Sequence, residues 1–203
     1  QERSSLRRTV LASLMENVAT NHRERKRIAI FEIGKVYLPE RGPPTGDPGD
    51  EKLPLEVFRL AMALSGPIGG PSWQEAKPRA SSFHDLKGIA RILFNKLHLE
   101  NTGFTPGQGP PYHPGVAAVV LIDGTPAGTI GKIHPKVIEA YDLGDREVFA
   151  AELDLDPLID GSRTDYPFRK FSSQPAVYQD LALVVNDEVP AGDVMATIRE
   201  SAG

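Results

Sequence analysis

The chain has 203 residues, with 23 Lys plus Arg against 27 Asp plus Glu and no cysteine. Apolar residues at 40% and charged residues at 25% describe a globular protein long enough to bury a core as one large or two modest domains. The absent thiol excludes a disulfide scaffold, a cysteine nucleophile and Cys-ligated zinc or iron–sulfur, and no apolar run approaches the ~18 residues of a membrane-spanning helix.

Apolar residues at Leu6, Val10, Leu11, Leu14, Val18 and Ala19 step by three and four, which predicts a helix to about His22 with Ser4 or Ser5 as its cap. A basic cluster, Arg23–Arg27, follows it. Residues 1–42 hold nine basic and five acidic side chains, so the net charge of −4 conceals a basic start on an acidic body. That start suits either a solvated helix end or a contact with RNA or an acidic surface. Ile28–Leu38 is β-branched and aromatic and predicts a strand. Residues 39–54, with five prolines and three glycines, predict a surface loop, and Val57–Ser65 a second strand closed by the Gly66–Pro71 turn cluster.

Phe83–Leu97 carries a helical stripe (Leu86, Ile89, Ala90, Leu93, Phe94, Leu97) behind Ser82, with Asp85 at the capping-box distance. Gly103–Gly115 reads as a loop of four prolines and four glycines. Val116–Ile122 and Ala127–Ile133 flank Asp123-Gly124, a dipeptide that tolerates the positive φ of a tight hairpin turn. A short helix over Pro135–Tyr141 and a strand over Val148–Leu155 follow. Asp160–Pro175 reads as a connector, ahead of a strand at Asp180–Val185 and a helix at Ala191–Ser201. The chain is therefore expected to divide near residue 170. The missing initiator Met and a last residue, Gly203, that ends a helical segment lead to the expectation that both ends are cut.

Motif chemistry is sparse. The histidines form no HExxH pair, but His113-Pro114 and His134-Pro135 flank the same hairpin. They admit a two-His metal site completed by Asp123 or another carboxylate, or two histidines bonded to turn backbone, the second being preferred. Gly66–Gly70 is interrupted by Pro67, which lacks the N–H that a phosphate loop needs. Ser81-Ser82 read as helix caps, Asp154/Asp156 as a solvated pair at a strand end, and Trp73 as a plug at a core edge.

The ordered set of segments carries more. Ser4-x-Leu6-Arg7-x-Thr9-Val10-Leu11, Phe31-Glu32-Ile33-Gly34-Lys35-Val36-Tyr37, Phe83-x-Asp85-Leu86-Lys87-Gly88, His113-Pro114-Gly115, Gly131-x-Ile133-His134-Pro135 and Glu152-Leu153-Asp154-Leu155 together resemble the bacterial phenylalanyl-tRNA synthetase beta subunit. Pro175-Ala176-Val177-x-x-Asp180-Leu181-Ala182-Leu183-Val184-Val185 resembles the opening of that subunit's ferredoxin-like anticodon-binding domain. Here the chain has Leu11-Ala12-Ser13-Leu14-Met15 where the family usually shows Leu-Pro-Gly-Leu-Leu, which leaves the helix unbroken.

The resemblance implies an α+β, class II synthetase-like module over residues 1–170, a largely antiparallel sheet flanked by helices. An incomplete ferredoxin-like segment follows over 171–203. It implies a cytoplasmic ligase subunit in which ATP and magnesium act on the alpha subunit, so that no catalytic, cofactor or metal residue is expected in this chain. The implied partners are alpha, within an (αβ)₂ heterotetramer, and phenylalanine tRNA. The residues expected at the alpha interface are Leu6, Arg7, Val10, Leu14 and Phe31. The strand keeps Glu32 but has Ala29 and Ile30 ahead of Phe31, in place of the Arg-x-Glu that clamps ATP phosphate in class II enzymes.

Overall fold

A computed structural model describes residues 5–41, 54–69, 78–165, 174–175 and 177–201. The chain forms two compact units, Gln1–Tyr166 and Pro167–Gly203. In the first, helix α1 (Leu11–Asn21) leads to strands β1 (Ile28–Arg41) and β2 (Pro54–Ser65). A two-stranded ribbon of β3 (Pro67–Ile68) and β4 (Arg79–Ala80) precedes helix α2 (Phe83–Lys96). Then come β5 (Thr102–Pro106), β6 (Tyr112–Ile122), β7 (Thr125–Ile133), helix α3 (Pro135–Ala140), β8 (Val148–Asp154) and helix α4 (Leu155–Asp160).

Six of these strands form one sheet in the order β1-β2-β8-β7-β6-β5, and each neighbouring pair is antiparallel. The alternation of side chains along the central strands divides the core in two. On one face Leu60, Met62 and Leu64 of β2 and Phe149, Ala151 and Leu153 of β8 pack with Leu86, Ala90 and Phe94 of α2 and Leu158 of α4. On the other, Ala61, Ala63 and Ala150 leave room for Val10, Leu11, Leu14, Met15 and Val18 at α1. This is the expected antiparallel sheet between helices.

Local chemistry explains the boundaries. Asp123 (φ 49°) and Gly124 (φ 76°) both take the left-handed conformation that a two-residue primed turn requires, so the β6–β7 hairpin forms as expected. At α2, the Asp85 carboxylate accepts from the Ser82 backbone N–H (2.8 Å) and from its hydroxyl (2.6 Å), closing the capping box. Gly128 (φ 141°) sits at a register irregularity of β7, where a Cβ would overlap the Glu152 carbonyl of the neighbouring strand.

Four expectations need correction. Helix α1 begins at Leu11 rather than Leu6, because the preceding residues run along β1: the Tyr37 N–H donates to the Arg7 carbonyl at 2.8 Å. Ser5 therefore caps nothing. Within the expected 103–115 loop, Thr102–Pro106 is an edge strand on β6, a position in which Pro106 costs the sheet no inner hydrogen bond. The short helix α4 follows β8 directly where no helix was expected. In the second unit, helix α5 (Ala191–Ser201) forms as expected, but Asp180–Val185 is not a strand. Among the described residues of that unit no second strand offers it hydrogen bonds, and Val177, Leu181 and Val184 stand exposed. Residues 42–53 of the expected loop, Gly70, Pro71, Trp73 and much of the 160–175 connector lie outside the described residues. No helix of the described residues is long and apolar enough to cross a membrane.

Candidate functional site

Three places bring together residues with functional potential: the entry to α1, an apolar groove beside α2, and the turn that follows α1. The entry to α1 is built around Glu152 of β8. Its Oε1 accepts from the Thr9 hydroxyl (2.7 Å) and from the backbone N–H of Val10 (2.6 Å), while its Oε2 accepts from Arg59 (3.0 Å). The Thr9 hydroxyl oxygen in turn accepts from the Leu11 N–H at 3.0 Å. A helix N-terminus attracts anions, and here the chain's own carboxylate meets it. Arg59 is divided between Glu152 and Asp154, whose Oδ1 accepts from Nε at 2.9 Å. Asp154 is thus half of an ion pair rather than one of two solvated carboxylates.

A cleft of about 390 Å³ opens beside this cluster, walled by Leu11, Met15, Pro111, Ile133, Tyr141 and Glu152. No lining residue is a lysine or an arginine. The Tyr112 hydroxyl donates to the Thr129 carbonyl at 3.1 Å, and burial, followed by the charge of Glu152, pushes its phenol well above the ordinary range. The cleft does not suit a nucleotide phosphate, because its lining offers no cation to clamp one and its helix N–H donors are already taken.

The five residues expected at an interface fall into three groups. Leu6 (62% exposed) and Phe31 (71%) face outward. Val10 and Leu14 are buried in the core beneath α1. Arg7 binds its own chain: Nη1 donates to Glu32 Oε1 (2.6 Å) and Nε to the Lys35 carbonyl (2.7 Å). Its guanidinium fills the space over Gly34, where a Cβ would overlap it. Glu32 also accepts from the Ser13 hydroxyl at 2.8 Å, so one carboxylate ties the entry segment, α1 and β1 together.

Phe31 belongs to a larger apolar surface. The register sets Phe31 opposite Met62 and Ile33 opposite Leu60, all on the sheet face that carries α2. Helix α2 packs over β7 and β8, so the β1 side of that face lies open. The result is a groove of about 390 Å³ floored by Leu60, Met62 and Leu64 and walled by Phe31, Ile33 and Ile89. Ile33 is 52% exposed, and Ile92 of α2, outside the groove's lining, is 61% exposed. Sequence periodicity placed Ile89 in the buried stripe of α2; the structure leaves it partly exposed because nothing in the sheet reaches that edge of the helix. Ile33 and Ile92 escaped the sequence reading, and their signal was an apolar residue on a face also needed by a neighbour.

His113 and His134 do come together, with their rings stacked at 6.1 Å between centroids. Each bonds backbone. The His113 Nδ1 lies 2.6 Å from the Pro114 carbonyl, to which it must donate, and the His134 Nδ1 accepts from the Lys136 N–H at 3.1 Å as the cap of α3. Asp123 sits in the turn at the opposite end of the hairpin and accepts from Asn101, so it cannot complete a site with them. Among the described residues no group of three metal-binding side chains forms. Ser82 and Ser81 support α2 and β4, the latter through its N–H on the Gly66 carbonyl, and Asp156 lies in the first turn of α4. Arg23–Arg27 form an exposed turn after α1.

Comparison with known proteins assigns the fold and the family. The phenylalanyl-tRNA synthetase beta chain CLM domain family matches residues 1–155. The phenylalanine–tRNA ligase beta subunit of Shouchella clausii is 36% identical over the whole chain, which spans 24% of that relative. That of Symbiobacterium thermophilum is 33% identical, again over the whole chain and 22% of the relative. Among solved structures, the pyrrolysyl-tRNA synthetase of Desulfitobacterium hafniense superposes with a TM-score of 0.54 over 75% of this chain and 48% of its own, at 17% identity, a likeness of fold. The chain thus spans about a quarter of the curated relatives it matches, and it belongs to the phenylalanyl-tRNA synthetase beta chain CLM domain family.

Proposed function

We propose that this chain is the part of a phenylalanine–tRNA ligase beta subunit that assembles the cytoplasmic enzyme by docking on the alpha subunit. The observation that carries the reading is the open groove beside α2, where Phe31, Ile33 and Ile89 present large apolar side chains to solvent. Contiguous exposed apolar surface of this kind marks a protein contact. The relatives are named as beta subunits, which implies an alpha partner to cover it.

In this reading Phe31 is the central anchor and Leu6 lies outside the groove as a second contact. Val10 and Leu14 hold α1 on the sheet, and Arg7 fixes the shape of β1 through Glu32. The intact enzyme attaches phenylalanine to its tRNA with ATP and magnesium. The clustering of Glu152 and Arg59 at the α1 entry supports placing that chemistry on the other subunit. The second unit, with its exposed apolar residues and helix α5, is the start of the tRNA anticodon-binding domain.

Site-directed photo-crosslinking tests the placement. In the full-length beta subunit mixed with alpha, a benzophenone side chain at Phe31 or Ile33 captures alpha. One at Ile159, exposed on α4, does not. Capture confined to other parts of beta would show that the groove is covered within the subunit and would overturn the docking assignment.

A further inference from the structure

We propose that the turn Arg23–Arg27 is a preorganised docking site for the phosphate backbone of a folded RNA. The side chains of all five residues, Arg23, Glu24, Arg25, Lys26 and Arg27, are exposed, and Glu24 is the single acidic one. The backbone of the turn is held from inside. Arg146 donates to the carbonyls of His22 (3.2 Å), Arg25 (3.2 Å) and Lys26 (3.3 Å). The N–H groups of Glu24 and Arg25 close on the Asn21 carbonyl. At the end of β2, Gly66 lacks the Cβ that would overlap the Lys26 carbonyl, so the turn packs against the sheet.

This arrangement separates two roles that the sequence could not separate. Positive charge after a helix is explained by the helix dipole when it meets the terminal carbonyls. Here those carbonyls are met otherwise: Ala19 by His22 Nδ1 at 2.6 Å, Asn21 by the N–H groups of Glu24 and Arg25, and the C-cap His22 by Arg146. Arg23 is drawn to Asp142 at 3.3 Å, while Arg25, Lys26 and Arg27 have no carboxylate partner among the described residues. Three adjacent cations on a pinned turn repel one another until a polyanion arrives, and little side-chain-supporting backbone is left to order when it does. Guanidinium groups donate paired hydrogen bonds to the oxygens of a phosphate and of a carboxylate alike, so the turn is built for an anion. The choice of RNA rests on the reading of this chain as part of a tRNA ligase subunit. None of the five residues of the turn lines the Phe31 groove.

The test uses the assembled alpha–beta enzyme and a fluorescent phenylalanine tRNA transcript, with affinity read by anisotropy across a salt series. Replacing Arg25, Lys26 and Arg27 with Ala is expected to weaken binding by roughly tenfold at 0.1 M salt and to lower the log–log salt slope by about 2–3, since each lost phosphate contact removes close to one unit. The charge-conserving Arg25→Lys, Arg27→Lys variant keeps the slope. Lys26→Ala alone, which leaves the turn's hydrogen bonds intact, lowers it by about one and serves if the triple variant fails to assemble. An unchanged slope in the Ala variants overturns the proposal. So does equal competition by poly-L-glutamate at matched charge, which would assign the turn to an acidic protein. Sedimentation of the same samples reports assembly independently, so a failure here is distinguishable from a failure of the alpha-docking reading.

Discussion

Glu152 shows how much one side chain settles at the α1 entry. It takes the first helical donors on one oxygen and Arg59 on the other, and it is largely buried. Glu152→Ala strands both sets of donors and is expected to cost about 2–3 kcal/mol in urea unfolding, whereas Glu152→Gln, which still accepts from the helix, costs about half that. Asp85 gives a second residue-scale outcome. Bonds from Arg79, then from Ser82, hold its carboxyl well below the usual range against the opposing effect of burial. A carboxyl with a depressed folded value stabilises fully above its unfolded pKa near 3.9, and that contribution is lost as pH falls through the folded value. Asp85→Asn should therefore destabilise at neutral pH and lose less stability than the parent on titration below about pH 4. Acid titrations of equal depth in the two proteins would remove Asp85 as a source of the pH dependence. Ser82 and Asp85 were legible as a capping box from spacing alone. Glu152 was visible only as part of a motif, because its partners Thr9 and Val10 lie far away in sequence and no local pattern reports them.

At the scale of elements, chain-local chemistry was readable and chain-distant chemistry was not. The Asp123-Gly124 turn and the α2 stripe follow from conformational preference and period, so both formed where the residues placed them. The start of α1 did not, because a periodic stripe beginning at Leu6 is overridden by the hydrogen bonds that tie Arg7 to β1. Strand β5 was hidden by its glycine and proline content, which an edge position tolerates. The strand at Asp180–Val185 has the right composition, and composition alone supplies no neighbour to bond. Gly128 lends itself to an element-scale test. Its positive φ and the close Glu152 carbonyl leave no room for a side chain, so Gly128→Ala should destabilise by about 2 kcal/mol or more in thermal unfolding. A loss comparable to that of an exposed strand Gly→Ala change would mean that β7 can shift past β8 without penalty.

For the whole molecule, the sheet carries helices on both faces but covers them unequally: α1 and α3 close one side, while α2 and α4 leave the β1 end of the other open. That imbalance makes a fold whose cleft is lined by apolar residues and one carboxylate into a candidate assembly module. Candidate contacts chosen from the sequence divided the same way: periodicity marks Val10 and Leu14 as apolar without saying which apolar residues a neighbour will cover. The direct measurement is sedimentation of full-length beta carrying Phe31→Glu and Ile33→Glu with purified alpha. Both side chains are exposed, so the variant subunit should keep its thermal stability within about 1 kcal/mol while heterotetramer formation weakens by at least tenfold. A folded variant that assembles as tightly as the parent would contradict the account.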